Sequence, residues 1–362
     1  MKSAAPATQF PPLPRSFRGR GRELAALAAA VRAGHQTRFA LIGSGGSGKS
    51  TLACALGHRV APSFPGGIHW FRVGAWDERT LTGMLALRFG VPMLRSRKLS
   101  RLRTHLGGRG GTFIVLDNHE DDRAVATLLD SLRDVPVTWL ITARRALLAG
   151  VSIHPVVPPL VTLGQSPFPA VASLTRLLRW NPVALDLANA LVTSGAVTAG
   201  ALETWLLAEG VDRVRVIAHE DDLPEVALLV AWSFPRLLPA SRRMLAVLAH
   251  TEGDHMDAVS LAQLAHARGP AALEALQRLR LVQEPLAGRF ALHATVRHAV
   301  AKRTRPAHAA LFEHYVSLLE QHPERLELEQ THLFAAMDQA SNTGDVQAAV
   351  RVERLVAMLE AR

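Results

Sequence analysis

The stretch "TRFALIGSGGSGKSTLACALGHRV", residues 37–60, decides the fold. Phe39–Ile42 form a short apolar run that predicts a buried strand. A glycine-rich turn follows, and from Ser50 onward the apolar residues recur with helical spacing. The turn, "GSGGSGKS" (43–50), fits the pattern G-x-x-x-x-G-K-[ST] without a mismatch. Each residue type has a physical reason to be there. Gly43, Gly45, Gly46, Ser47 and Gly48 let backbone N–H groups turn inward into an anion nest that a Cβ would obstruct. The helix starting near Lys49 adds its positive end at the same point. Lys49 would supply a point charge to β- and γ-phosphates, Ser50 a hydroxyl to Mg²⁺, and Thr51 a contact to the α-phosphate.

Working outward, more strands appear. "GGIHWFRVG" (66–74) reads as a second strand, and residues 78–107 read as helical, with the basic run "RSRKLSRLR" (95–103) near their end. "FIVLDNHED" (113–121) reads as a third strand delivering Asp117 to its end, where its carboxylate would accept from Mg²⁺-bound water. A helix over 122–133 and a fourth strand, "VTWLITARR" (137–145), complete an alternation of strands and helices. That alternation predicts an α/β P-loop NTPase core with a mostly parallel sheet. Arg144 could reach a γ-phosphate or could be a surface arginine at a strand end. Asn118 stands where a nucleotide-hydrolysing site often has a second carboxylate. It can orient a water but cannot take its proton, and general-base help is worth roughly 10²–10⁴-fold in rate. Glu120 or Asp121 could substitute if the strand end curls back, or both could form a solvated acidic turn.

After about residue 165 the pattern turns helical. The expected organisation is a disordered tail over 1–16, a P-loop nucleotide-binding domain over 17–165 and a helical domain over 166–223. A winged-helix domain over 224–303 and a C-terminal helical hairpin over 304–362 follow. The winged helix is inferred from helices followed by short strands, "LVQEP" and "RFALH", around the turn "LAG". In the hairpin, "NTGD" (342–345) separates two helices. This arm could dock a partner or cap the winged helix, with capping favoured.

Bulk composition limits the alternatives. The 362 residues imply several domains, and 48% hydrophobic with 20% charged residues describes a globular chain. The single cysteine, Cys54, excludes a disulfide framework and a cysteine-based zinc site. No apolar run approaches the roughly 20 residues of a membrane span. The proline-interrupted N-terminus lacks a signal peptide's apolar centre. A cytoplasmic protein without a membrane partner is expected. The net charge of +10 could mark an anionic partner, but only four of the 41 basic residues are lysine, which favours arginine-rich solvated faces instead.

Five short motifs, in order, carry a family resemblance. They are "FRGRGREL" (17–24), "GSGGSGKST" (43–51), "FIVLDNHE" (113–120) with "LITARR" (140–145), "WNPVALDLA" (180–188) and "RFALHATVRHAV" (289–300). The set resembles the STAND class of P-loop ATPases, specifically NB-ARC-like bacterial members related to apoptosome ATPases and plant resistance proteins. The resemblance implies that Phe17, Gly19, Arg20 and Pro182 line the adenine and ribose. It also implies that Arg144 senses the γ-phosphate and that His293 touches the β-phosphate of ADP. From the residues alone, His293 also fits a capping or core histidine at a strand–helix junction. Ala294 departs from plant members, which have aspartate there, while "LDNxE" with Asn118 and Glu120 occurs in bacterial relatives.

ATP or ADP with Mg²⁺ is therefore the expected ligand. The leading expectation is a nucleotide-dependent signalling switch, closed with ADP, opening or self-associating with ATP or meeting a partner protein, and hydrolysing slowly. Two alternatives are a winged-helix DNA-binding regulator, for which nucleic acid is not the favoured partner, and a scaffold that binds nucleotide without hydrolysing it.

Overall fold

The structure, a computed structural model, describes residues 10–13, 20–34, 37–74, 76–92, 98–145, 148–157, 172–210, 223–251, 255–306 and 308–360. The chain divides into two compact units. The first comprises Met1–Gly43, Lys49–Val156 and Tyr315–Arg362, and the second comprises Ser44–Gly48 and Val157–His314.

The first unit is built on five strands, β1 (Arg38–Ile42), β2 (Ile68–Arg72), β3 (Thr112–His119), β4 (Val137–Ala143) and β5 (Ser152–Pro155). They run parallel in the order β2-β3-β4-β1-β5. β4 is buried along its whole length and β3 at all but Asn118. Near-continuous apolar runs such as "FIVL" and "WLI" suit strands covered on both faces. The helices are α1 (Gly21–Arg32), α2 (Lys49–Val60), α3 (Glu78–Arg88), α4 (Lys98–Gly108) and α5 (Asp122–Ser131). β1 lies in mid-sheet, and its carboxyl end opens directly into the glycine-rich turn, the place where open α/β sheets bind ligands.

Three expectations change here. The helical span over 78–107 is two helices, because Gly90 takes a left-handed φ of +67° and Pro92 follows two residues later. β5 has no counterpart in the sequence reading, since an exposed edge strand lacks the apolar run that marks the central ones. The tail expected over 1–16 is ordered at Phe10, which is buried among residues of α1, α2 and β1. Its ring meets Trp70 edge-on at 5.4 Å and His58 at 5.2 Å. The carbonyl of Pro11 is 2.7 Å from His58 Nε2, and the Cys54 thiol donates to it at 3.3 Å. An alternation of proline and apolar residues reads as linker, but a single aromatic side chain is enough to anchor it.

The second unit holds α6 (Ala172–Leu177), α7 (Pro182–Thr193), α8 (Ala199–Ala208), α9 (Pro224–Ser233) and α10 (Pro239–His250). Next come β6 (Met256–Asp257), α11 (Ala258–Leu264), α12 (Ala271–Arg278), β7 (Gln283–Leu286), β8 (Arg289–Ala291) and α13 (Ala294–Ala301). Its three strands are antiparallel in the order β6-β8-β7, with Gly288 at φ +71° in the β7–β8 turn. α13 packs on α9 and α10, and α9 on α7.

The chain returns to the first unit with the last part of α14 (His308–Gln321), then α15 (Leu326–Thr343) and α16 (Val346–Glu360). Gly344 ends α15 in the left-handed conformation, and Asp345 caps α16 by accepting the N–H groups of Gln347 and Ala348. The "NTGD" segment thus joins these two helices. Within the first unit, α15 packs on α3. Phe334 lies over Gly83, where a Cβ would stand 2.8 Å from its Cε1, and meets Trp76 edge-on at 6.1 Å. Glycine spacing on α3 gives no sequence signal for a partner so far along the chain.

Candidate functional site

In the first unit the turn's charged residues meet the ends of β3 and β4. Ser50 Oγ donates to Asp117 Oδ1 at 2.7 Å, and Thr142 Oγ1 donates to the same oxygen at 2.5 Å. Lys49 Nζ donates to the Gly43 carbonyl at 2.7 Å. Burial pushes the Lys49 ammonium down to about 8; Asp117 opposes the shift and the nearby Arg144 adds to it. Arg144, half-buried just past β4, is thus within electrostatic reach of Lys49. Asp117 is also felt by Cys54, whose buried thiol is pushed up to about 12, mainly by desolvation. Thr51 is half-buried in the first turn of α2.

The end of β3 does curl. Asn118 takes φ +58°, and the β3–β4 register shifts between Leu116 and His119. Asparagine tolerates this conformation better than most residues. The Asn118 N–H donates to Thr142 Oγ1 at 3.0 Å, so the Thr142 hydroxyl fixes both Asp117 and the bulge after it. Asn118 Nδ2 then donates to Glu120 Oε1 at 2.9 Å. Glu120 is exposed and held by that amide. Asp121 is otherwise engaged, capping α5 by accepting the N–H groups of Arg123 and Ala124. His119 is buried, with Nε2 2.6 Å from Asp122 Oδ1.

In the second unit the apex of the turn has close neighbours. A Cβ on Gly45 would stand 2.9 Å from Thr295 Cγ2, and one on Gly46 3.0 Å from Asn181 Oδ1. Gly46 and Gly48 take φ of +75° and +89°, conformations that fit glycine. Ser47 is fully buried. Asn181 Nδ2 donates to the Gly45 carbonyl at 3.3 Å. His293 precedes α13, its Nδ1 accepting the Thr295 N–H at 3.3 Å and lying 2.8 Å from Thr295 Oγ1. His293 is thus the N-cap of α13.

The remaining expected residues are more scattered. Arg20 is buried and paired with Glu23 at 2.7 Å at the start of α1. Pro182 is half-buried at the first position of α7, where its missing N–H costs nothing. Phe17 and Gly19 lie outside the described residues. Thr142 and Asn181 were missed as site residues. Thr142 offered only a threonine at a strand end, whereas the Asn-Pro pair before an apolar helix was a legible capping signal.

Comparison with protein families and with curated proteins returned no match. Among solved structures, the chain is similar to the STAND protein with a tetratricopeptide-repeat sensor from Pyrococcus horikoshii. That match has a TM-score of 0.58 at 16% identity and covers 98% of this chain and 55% of that one. The likeness extends to the fold, a parallel α/β sheet followed by helices. Cdc6p from Pyrobaculum aerophilum also matches, at TM-score 0.35 and 13% identity over 83% of this chain and 98% of that one. The Aeropyrum pernix Orc1 protein, solved in complex with DNA, matches at TM-score 0.34 and 16% identity over 80% and 94% of the two chains. This chain spans a little over half the length of the Pyrococcus protein. No described helix is long and apolar enough to cross a membrane.

Proposed function

We propose that the protein is an adenine-nucleotide-dependent signalling switch of the STAND kind, NB-ARC-like, that holds ADP in a closed form and hydrolyses ATP slowly. The observation that carries this reading is the Ser50–Asp117 contact at 2.7 Å, directly behind an unbroken phosphate-binding turn. It joins the hydroxyl and the carboxylate that a nucleotide-bound Mg²⁺ requires. Both are hard oxygen donors suited to that ion. Ser50 and Asp117 would hold the ion, which when bound neutralises phosphate charge.

The remaining steps belong to the chain. Lys49 shifts from the Gly43 carbonyl to the phosphates and keeps its proton there. Arg144 lies on the same side as Lys49 and distinguishes a γ-phosphate from its absence. His293, the N-cap of α13, is the residue to which the family resemblance gives the β-phosphate. Asn118 is the orienter, and Glu120 is the carboxylate its amide holds. An exposed base held by an amide suits slow turnover, since phosphoryl transfer depends chiefly on positioning and electrostatics. A switch needs little more. Moving a closed form from 99% to 1% takes about 5.5 kcal/mol of differential affinity, which contacts present with only one nucleotide can provide.

The winged-helix reading of residues 224–303 draws support from the antiparallel β6-β8-β7 sheet that follows and precedes helices in that segment. It serves the switch as the carrier of His293. Self-association or a partner protein on ATP binding completes the proposal. The test is protein purified without added nucleotide, denatured and analysed by chromatography for what it releases, followed by ADP and ATP titrations. Stoichiometric ADP, or tight ADP binding lost in Lys49→Ala, is expected. Failure of the native protein to bind either nucleotide at millimolar concentration with Mg²⁺ overturns the reading.

A further inference from the structure

The segment "RWNP" (179–182) has a backbone that no helix-capping role requires. Arg179 and Trp180 both take left-handed conformations, φ +53° and +54°. Left-handed φ at non-glycine residues is strained and persists where surrounding structure demands it. These two residues deliver Asn181, buried, to the start of α7. Asn181 Oδ1 accepts the N–H groups of Val183 at 3.0 Å and Ala184 at 3.1 Å, an ordinary cap. A serine would do the same work. What serine lacks is the amide nitrogen, and here that nitrogen reaches a residue 136 positions away, the Gly45 carbonyl.

The Gly45–Gly46 peptide is trans, so its carbonyl and its N–H point to opposite sides of one plane. Holding the Gly45 oxygen on the Asn181 side directs the Gly46 N–H to the other side. Steric limits reinforce this orientation, because a Cβ on Gly46 would also stand 3.3 Å from Val183 Cγ2. Gly46 therefore has α7 on one side and the concavity of the turn on the other. All of these residues belong to the second unit.

We propose that Asn181 is a positioning residue that locks the Gly45–Gly46 peptide plane so that the Gly46 N–H faces a bound phosphate. It touches no ligand itself. It acts by preventing a peptide flip that would turn a carbonyl, rather than a donor, toward the anion. Movement of α7 would release that lock, so the grip of the turn on phosphate is coupled to the position of the helix. The proposal rests on the nucleotide-binding reading above and names the chain's own means of regulating that site.

The experiment compares the native protein with Asn181→Ser, which keeps the helix cap and loses the reach. Affinities for ADP and for inorganic tripolyphosphate are measured alongside amide hydrogen exchange. About tenfold weaker binding of both ligands is expected, with faster exchange across residues 44–48 and unchanged protection in α7. Asn181→Thr, a second capping residue too short to reach Gly45, should repeat the result. Equal affinity in either variant with α7 intact overturns the lock while leaving nucleotide binding in place. If the native protein binds neither ligand, the functional reading fails, and exchange alone decides the lock. Faster exchange over 44–48 in the variant then sustains it, and unchanged exchange overturns it.

Discussion

Burial holds the Lys49 ammonium near pH 8, well under a lysine's ordinary value, and this gives the residue a measurable pH signature. A bound polyanion favours the protonated form. Below pH 8 the free protein already has the proton, so affinity for ADP should be flat. Above pH 8 the proton must be taken up on binding, and affinity should fall by up to about tenfold per pH unit. Titration calorimetry from pH 7 to 9.5 checks this, and Lys49→Arg should flatten the curve. The folding linkage has the opposite sign. Between pH 8 and the ordinary lysine value the unfolded chain binds more protons than the native one, so Lys49 lets stability rise with pH across that window. At the end of β3, Glu120→Gln should slow single-turnover ATP hydrolysis by roughly a hundredfold while leaving ADP affinity unchanged. An unchanged rate would assign proton acceptance to water alone. The residues legible in advance were those whose chemistry is local. Lys49 and Ser50 are fixed by spacing inside one turn, and Asp117 by the apolar strand that carries it. Thr142 and Asn181 were not, because each acquires its role from a partner 25 or 136 residues away.

Among the elements, α2 connects the turn to the N-terminal segment. Gly57 sits in its interior, where a Cβ would stand 2.2 Å from Phe10 Cζ. Glycine inside a helix costs about 1 kcal/mol relative to alanine, so its presence marks the space the Phe10 ring takes. Phe10→Ala should destabilise the protein by about 3 kcal/mol in urea unfolding. Gly57→Ala should also destabilise it. In the Phe10→Ala background, however, Gly57→Ala should become stabilising by up to about 1 kcal/mol, since the ring no longer blocks the new methyl group. Additive effects in that cycle would show that the ring is not seated on α2. Strands β1 to β4 were readable from their apolar runs and flanking glycines. Phe10, β5 and the break at Gly90 were not. An aromatic anchor among prolines, an exposed edge and a glycine within a helical stretch each look like something else until tertiary contacts choose between them.

For the whole molecule, the proposed switch predicts a change in assembly. Sedimentation should show a single small species with ADP and larger ones with Mg²⁺ and a non-hydrolysable ATP analogue; identical profiles would refute ATP-driven self-association. The packing of the C-terminal helices into the first unit was not legible in the sequence. Gly83 and Phe334 are far apart in the chain and adjacent in the fold. That separation has a consequence during synthesis. At roughly 5–20 residues per second, the ribosome needs on the order of ten to fifty seconds between releasing α3 and releasing the helix that covers it. For that interval the first unit exists with one apolar helix face open to water. The second unit must emerge whole before the first can be finished, so a ribosome stalled anywhere before residue 334 leaves a nascent chain with a sticky flank, suited to capture by a chaperone and exposed to aggregation.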